Sequence, residues 1–323
     1  MPPDASPSPL GRARALAART FAGSERGVRA VEALGAHTLA DRLDSRRSGG
    51  DIVALRLPAG VHDLRARRVK ALRRQGADQC VEAFHQAGWR GYERPLPDVF
   101  LAALRAAPGA VLDVGANTGV YSLIASTVHG ATVHAFEAFP PVARLLRENL
   151  ALNPTSRRVT VVEAAVTDSE GSIELFVPPL SGLVETSSSI DAGFKPGSEP
   201  IVVPTVALDA YWRRQGSPTV TIVKVDVEGA EHRVLAGAHA VVGRDRPVMF
   251  LEVLPGAHLA DLEAFRDRHD LVDVRLGATE AVVGQAVVHD GLAWNHAFVP
   301  QERLAALLAL LPRLGLRVTH PQG

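Results

Sequence analysis

A lysine, a set of acids and the glycines among them are the residues of this chain whose types and spacing suggest chemistry. In Lys224-Val225-Asp226-Val227-Glu228-Gly229 the residues at 224, 226 and 228 are expected on one side of an extended segment, since side chains alternate with period two. Asp226 is the leading candidate for a general base toward a hydroxyl, a group that holds its proton at neutral pH and gains from an acceptor within hydrogen-bond reach. Glu228 and Glu252, the latter in Phe250-Leu251-Glu252-Val253, are the alternatives, with Lys224 lowering the pKa of the hydroxyl. Far upstream, residues 111–120 read VLDVGANTGV: an apolar run, Asp113, then Gly115 and Gly119 bracketing Ala116-Asn117-Thr118. A turn of this kind between strand and helix lets free N–H groups face a ligand. Glycine suits it because a Cβ would obstruct close approach and positive φ would be strained.

What would bind there follows from the next acid and from what is missing. Glu137 closes His134-Ala135-Phe136-Glu137, 22 residues after Gly115. In doubly wound folds an acid about 20 positions past the glycine turn takes the ribose hydroxyls. The G-x-G-x-x-G fingerprint of dinucleotide sites is absent, because Asn117 stands at the second glycine. A phosphate-binding loop is also absent, since Val120-Tyr121 follows Gly119. An adenosyl ligand with cationic groups and no phosphate fits Asp113, and S-adenosylmethionine is such a ligand. Asp226, Glu228 and Glu252 offer oxygens of the kind Mg²⁺ takes, but Lys224 provides an internal counter-ion, so no metal is expected. His232, one helical turn past Glu228, reads as a surface histidine. Ser187-Ser188-Ser189 and residues 191–199 are expected to cover the cleft.

These residues need a frame, and from residue 110 the pattern supplies one. Strands are expected at 110–114, 132–136, 159–163, 220–225, 247–253, 271–276 and 293–299, with helices at 118–128, 140–152, 229–241 and 258–268 between most of them. That alternation predicts an α/β fold, a mostly parallel seven-stranded sheet with helices on both faces. An insertion at 166–219 carries strands near 172–177 and 201–206 and a helix at 208–215. A C-terminal helix over 301–315 is interrupted at Pro312. The expected organisation is a mainly helical N-terminal accessory region at 1–109, a catalytic domain at 110–300 and a C-terminal helix and tail at 301–323. Within the first region, residues 1–10 read as disordered, 51–57 as a short strand and 61–75 as a basic helix. No chemistry-bearing motif stands out there.

Composition bounds the function classes. Residues 1–109 carry 18 Lys/Arg against 11 Asp/Glu, a net of +7, and the remainder 17 against 24, a net of −7. Nucleic-acid binding calls for a larger basic excess interleaved with aromatics, and aromatics are 5% here, so no nucleic-acid partner is expected. No apolar run reaches the ~18–20 residues of a membrane span. The single cysteine, Cys80, rules out an intrachain disulfide and a cysteine-based zinc site. A cytoplasmic protein is expected; the oligomeric state is not readable.

The segments VLDVGANTGVYSL, HAFEAFP, VVEAAVTDSEGSIEL, the SSSI loop, VPTVALDAYW, IVKVDVEGAEHRVLAGA and PVMFLEV follow one another in an order that resembles the FkbM-type methyltransferases. The resemblance covers residues 111–300 and leaves 1–109 uncovered. It implies a class I methyltransferase (Rossmann-like) fold, S-adenosylmethionine as cofactor, and O-methylation of a sugar, polyketide or other natural product, free or carrier-bound. It makes Asp113, Gly115, Asn117, Gly119, Glu137 and Ala138 cofactor contacts. Glu163-Ala164-Ala165 stands where the family often has Asn or Asp before the alanine, so the adenine contact is either backbone at Ala165 or the Glu163 side chain. Thr167-Asp168 reads as a further adenine contact or as a turn. A nicotinamide oxidoreductase and a non-catalytic adenosyl-binding scaffold are the rival readings.

Overall fold

The computed structural model describes residues 91–178, 188–191, 195–284 and 286–320, with the strands β1 (Ile52–Arg56) and β2 (Arg68–Leu72) and the helical positions Cys80, Ala83 and Ala87. The expectations for residues 1–10 and for Ser187 lie outside the described residues. β1 and β2 pair antiparallel, Ile52 opposite Leu72. This corrects the helix expected over 61–75: Arg68-Val69-Lys70-Ala71 also alternates with period two, and a non-local partner decides between the two periods.

Helix α1 (Leu96–Ala106) leads into β3 (Ala110–Val114), α2 (Val120–Ser126), β4 (Thr132–Phe136), α3 (Pro140–Ala151) and β5 (Val159–Val162). The insertion forms a small sheet of β6 (Ala165–Val166), β7 (Gly171–Val177) and β8 (Glu199–Val206), in the order β6-β8-β7, followed by α4 (Leu208–Arg214). Then come β9 (Val220–Val225), α5 (Glu231–Ala236), α6 (His239–Asp245), β10 (Val248–Glu252), α7 (Leu259–Arg268) and β11 (Leu271–Leu276). The chain finishes with β12 (Glu280–Gly284), β13 (Asn295–Pro300), α8 (Gln301–Leu310) and β14 (Arg317–Thr319). The single helix expected over 229–241 is two, separated at Gly237-Ala238, where glycine lowers helix propensity.

The main sheet runs β14-β12-β11-β13-β10-β9-β3-β4-β5. All seven expected strands are in it. β12 and β14 extend the edge to nine; at five and three residues they take their structure from pairing rather than from a pattern of their own. The pairings among β5, β4, β3, β9 and β10 are parallel, and β13 enters antiparallel between β10 and β11. β3 and β9 are buried along their whole length, as central parallel strands covered on both faces require. One face packs Val111, Ile222, Phe250 and Ala297 against α1, α2 and α8. The other packs Leu112, Val223, Leu251 and Phe298 against α4, α5, α6 and α7. Strand order reverses between β3 and β9, which opens a crevice at their carboxyl ends.

Helix α1, although it precedes residue 110, belongs to this core. Val99, Phe100, Leu101 and Leu104 are buried, and the Phe100 ring lies 5.2 Å from Tyr121 and 5.8 Å from Phe250. No helix among the described residues is long and apolar enough to cross a membrane.

Candidate functional site

The crevice begins with the turn after β3. Gly115 has φ 73° and Gly119 φ 99°, both in the left-handed region that favours glycine. Space is the stricter constraint: a Cβ at Gly115 would lie 1.8 Å from the Asp226 carbonyl oxygen, and one at Gly119 2.5 Å from Leu146 Cδ1. The turn is therefore pressed against the segment leaving β9. Asp226 N–H donates to the Val114 carbonyl at 3.0 Å and ties the two strand ends together.

Glu137, at the end of β4, braces the turn from the other side. Its Oε2 accepts from Asn117 N–H at 2.9 Å and its Oε1 from Phe139 N–H at 2.8 Å. Burial pushes its pKa up to about 7, against the two N–H bonds, which favour the charged form. A carboxylate oxygen has two lone pairs, so both oxygens keep acceptor capacity. Asn117 also accepts from Thr118 N–H through its own side chain, and Asn149 on α3 donates to the Thr118 carbonyl at 2.8 Å. Asp113 lies beneath, wholly buried, its Oδ2 accepting from Ser122 Oγ at 2.6 Å. Burial raises its pKa.

A cavity joins these parts. Its walls include Gly115, Asn117, Glu137, Ala138, Ala164, Ala165, Asp226 and Glu228. Ser188, Ser189 and Ile190 close it from the insertion. That closure has its own bonds. Ser189 pairs with Phe176 on β7 through two backbone hydrogen bonds, and its Oγ donates to the Glu228 carbonyl at 2.8 Å. Glu163 is turned away, half-exposed and ion-paired to Arg147. Of the two adenine contacts left open by the sequence, only Ala165 borders the cavity. Thr167 Oγ1 donates to the Ser169 carbonyl, the hydrogen bond of a turn into β7.

The strand-β9 cluster is only partly the one expected. Lys224 and Asp226 share a side, Nζ to Oδ2 at 2.8 Å, with Lys224 3% exposed. Glu228 departs from the period-two reading. The strand ends at Val225, and Glu228 sits at φ 56°, so the chain has turned before it arrives. It borders the cavity from the loop instead. Three residues on is Glu231, at the start of α5, whose Oε1 accepts from Val227 and Gly229 N–H, each at 3.2 Å. Burial lifts Glu231 to about 7. His232 stacks on His258 at 3.8 Å between ring centroids, on α5, and does not border the cavity.

Lys224 gathers the acids. Burial by itself would lower its pKa, but Asp226, Asp113 and Glu93 hold the ammonium above its ordinary value. Burial would raise Asp226, and Lys224 overrides it, so the Asp226 carboxyl lies below the usual range. Glu252, at the end of β10, is pushed up to about 10 by burial, by the Asp226 charge and by its hydrogen bond to Asp226. At neutral pH Glu252 is a neutral carboxyl that donates to Asp226, so a base role fits it less well than it fits Asp226. Tyr121 lies under the ammonium, ring centroid 4.6 Å from Nζ, and its phenol donates to Glu93 Oε2 at 2.7 Å. The sequence reading missed Glu93 and Tyr121: Glu93 sits in a segment without a motif, and Tyr121 looks like one more apolar helix residue.

Residues 113–272 match the family model described as Methyltransferase FkbM domain. The 31-O-demethyl-FK506 methyltransferase FkbM of Streptomyces tacrolimicus is 31% identical over 157 residues, covering 40% of this chain and 60% of that protein. Methyltransferase sdnD of Sordaria araneosa is 30% identical over 153 residues, covering 39% of this chain and 59% of that protein. The chain thus spans about three-fifths of the length of these relatives. A crystal structure of methyltransferase FkbM from Methylobacillus flagellatus KT aligns with 16% identity and a TM-score of 0.41, over 59% of this chain and 43% of that one.

Proposed function

Residues 113–272 belong to the methyltransferase FkbM family, and from that premise we propose that this methyltransferase moves the methyl group of S-adenosylmethionine to a hydroxyl of a small natural-product acceptor. The observation that carries the reading is the contact of Gly115 with Asp226. The turn suited to a cofactor and the strand end suited to proton chemistry are walls of one cavity, with no room for a methyl group between them.

The cavity residues fit the cofactor. Gly115 and Asn117 present backbone, Glu137 has acceptor capacity left for ribose hydroxyls, and Ala164 and Ala165 leave a smooth wall for a base. Buried acids suit cationic groups. When bound, the cofactor supplies an electrophilic methyl on a sulfonium. What the chain contributes is alignment, exclusion of water and a place for the proton. Asp226 stays ionised because Lys224 is bonded to it, and it reaches the cavity wall. Such a carboxylate is a weak base that orients the hydroxyl first and takes its proton as the new O–C bond forms and the oxygen becomes acidic. Glu252 steadies Asp226 through the hydrogen bond between their carboxyls. Ser189, fixed to Glu228, keeps the insertion closed over the cavity.

The name of the relative from Streptomyces, a 31-O-demethyl-FK506 methyltransferase, supports an O-methyl acceptor. Calorimetry with S-adenosylmethionine, S-adenosylhomocysteine and NAD tests the cofactor: binding of the first two and not the third is expected, and no binding of either sulfur nucleotide removes the reading. Asp226→Asn is expected to slow methyl transfer by about 10²–10⁴-fold while cofactor affinity changes little. Turnover equal to the wild type would take the base role from Asp226.

A further inference from the structure

The family match starts at Asp113, yet the charge cluster beneath the cavity has a member from outside it. Glu93 stands just before α1 with φ 43°, a left-handed conformation that a non-glycine residue adopts at a cost. Its Oε2 accepts from Tyr121 at 2.7 Å, the Tyr121 ring lies 4.6 Å from Lys224 Nζ, and Lys224 is bonded to Asp226 in the cavity wall. Three consecutive contacts therefore run from this segment to the wall.

The cluster is short of positive charge. Among the described residues, Glu93, Asp113 and Asp226 act on a single ammonium, that of Lys224, while Glu252 is neutral. Burial raises Glu93, and the Asp226 charge raises it further against the pull of Lys224. Buried acids in this position favour any ligand that brings a cation. A sulfonium does so and a thioether does not.

We propose that Glu93, acting through Tyr121 and Lys224, is a positioning residue that biases the cavity toward the positively charged methyl donor and against its uncharged-sulfur product. This rests on the reading of the cofactor as S-adenosylmethionine. Product discrimination is then set in part by a residue that precedes the family domain, and the segment around residue 93 belongs to the functional unit.

The test needs no acceptor. Calorimetry on the full chain would give the affinities for S-adenosylmethionine and S-adenosylhomocysteine in the wild type, in Glu93→Gln and in Tyr121→Phe, with thermal unfolding to show that each variant is folded. Gln keeps an oxygen for the Tyr121 phenol and removes the charge. One charge at an effective dielectric near 20 changes cation affinity by roughly three- to tenfold once screening and partial protonation are allowed for. The expected result is that loss for S-adenosylmethionine in Glu93→Gln, with S-adenosylhomocysteine within about twofold, and a shift in the same direction for Tyr121→Phe. Equal loss for both ligands would mean mere structural support and overturns the proposal, as does an unchanged ratio in both variants. Should Glu93→Gln not fold, the ratio in Tyr121→Phe decides in the same way. Absence of binding to the wild type would overturn the cofactor reading itself, and is seen before any variant is compared.

Discussion

The glycine turn after β3 and the charge cluster below the ends of β9 and β10 face the same cavity but are built differently. The turn is made of backbone and of neighbours in sequence, and it works because nothing larger than hydrogen fits at Gly115. The cluster is made of side chains spread from Glu93 to Glu252, and it works because one lysine is shared among acids that burial would otherwise neutralise. The first is intolerant of volume and the second of lost charge. The two meet where the Gly115 hydrogen faces the Asp226 carbonyl, and the proposed site lies there.

The largest effect that would test this contrast is expected from Lys224→Met. It keeps approximate volume and leaves Asp226, 31% exposed, without its buried cation; breaking a fully buried pair costs about 3–5 kcal/mol, the upper bound here. Urea denaturation measures it; a loss below about 1 kcal/mol would mean that the cluster behaves like a surface ion pair. Next comes Gly115→Ala. The clash with the Asp226 carbonyl and the positive φ together are expected to cost about 2–4 kcal/mol and to abolish cofactor binding. Full binding by a folded Gly115→Ala protein would show that the turn and β9 separate easily, and the contrast would fail.

A smaller, graded effect comes with pH. The Glu137 carboxyl keeps its proton in the fold until about 7 and loses it near 4.5 when unfolded. Between those values the folded chain binds more protons, so this group stabilises the fold below about 4.5 and that contribution is lost as pH rises through about 7, up to roughly 3 kcal/mol. Glu231, also at about 7, adds a slope of the same sign. Stability from denaturant titrations at pH 5, 6, 7 and 8 is expected to fall across the series in the ligand-free protein, and Glu137→Gln to flatten it. A rise with pH would reverse the sign assigned to this burial. The smallest effect is expected at Glu163, half-exposed and paired only to Arg147. Glu163→Gln should change stability by less than about 1 kcal/mol and leave cofactor affinity unchanged in calorimetry; a large loss of affinity would return Glu163 to the adenine site.

How much of this was legible follows the same contrast. Residues 111–120 and Glu137 could be read because a strand, a glycine turn and an acid at fixed spacing are local features whose geometry the backbone repeats. All seven expected strands of the main sheet were placed within two residues, since largely apolar runs separated by amphipathic ones leave few alternatives. Glu228 was misread because the period-two rule holds only while the strand lasts, and this one ends at Val225. The strand Arg68–Leu72 was read as helix because ten basic and apolar residues satisfy either period when no partner is in view.

By itself the sequence determined which residues could line a nucleoside site and in what order the frame that holds them is strung. The tertiary structure decided the protonation and the membership of the chemical half. A sequence shows that Asp226 and Glu252 are acids, but only their approach to each other and to Lys224, out of water, makes one a carboxylate and the other a neutral donor. Nor does sequence distance foretell that Glu93, 28 residues before Tyr121, meets its phenol. Periodicity reports the face on which a side chain lies; charge depends on neighbours and burial, and those exist only once the chain has folded.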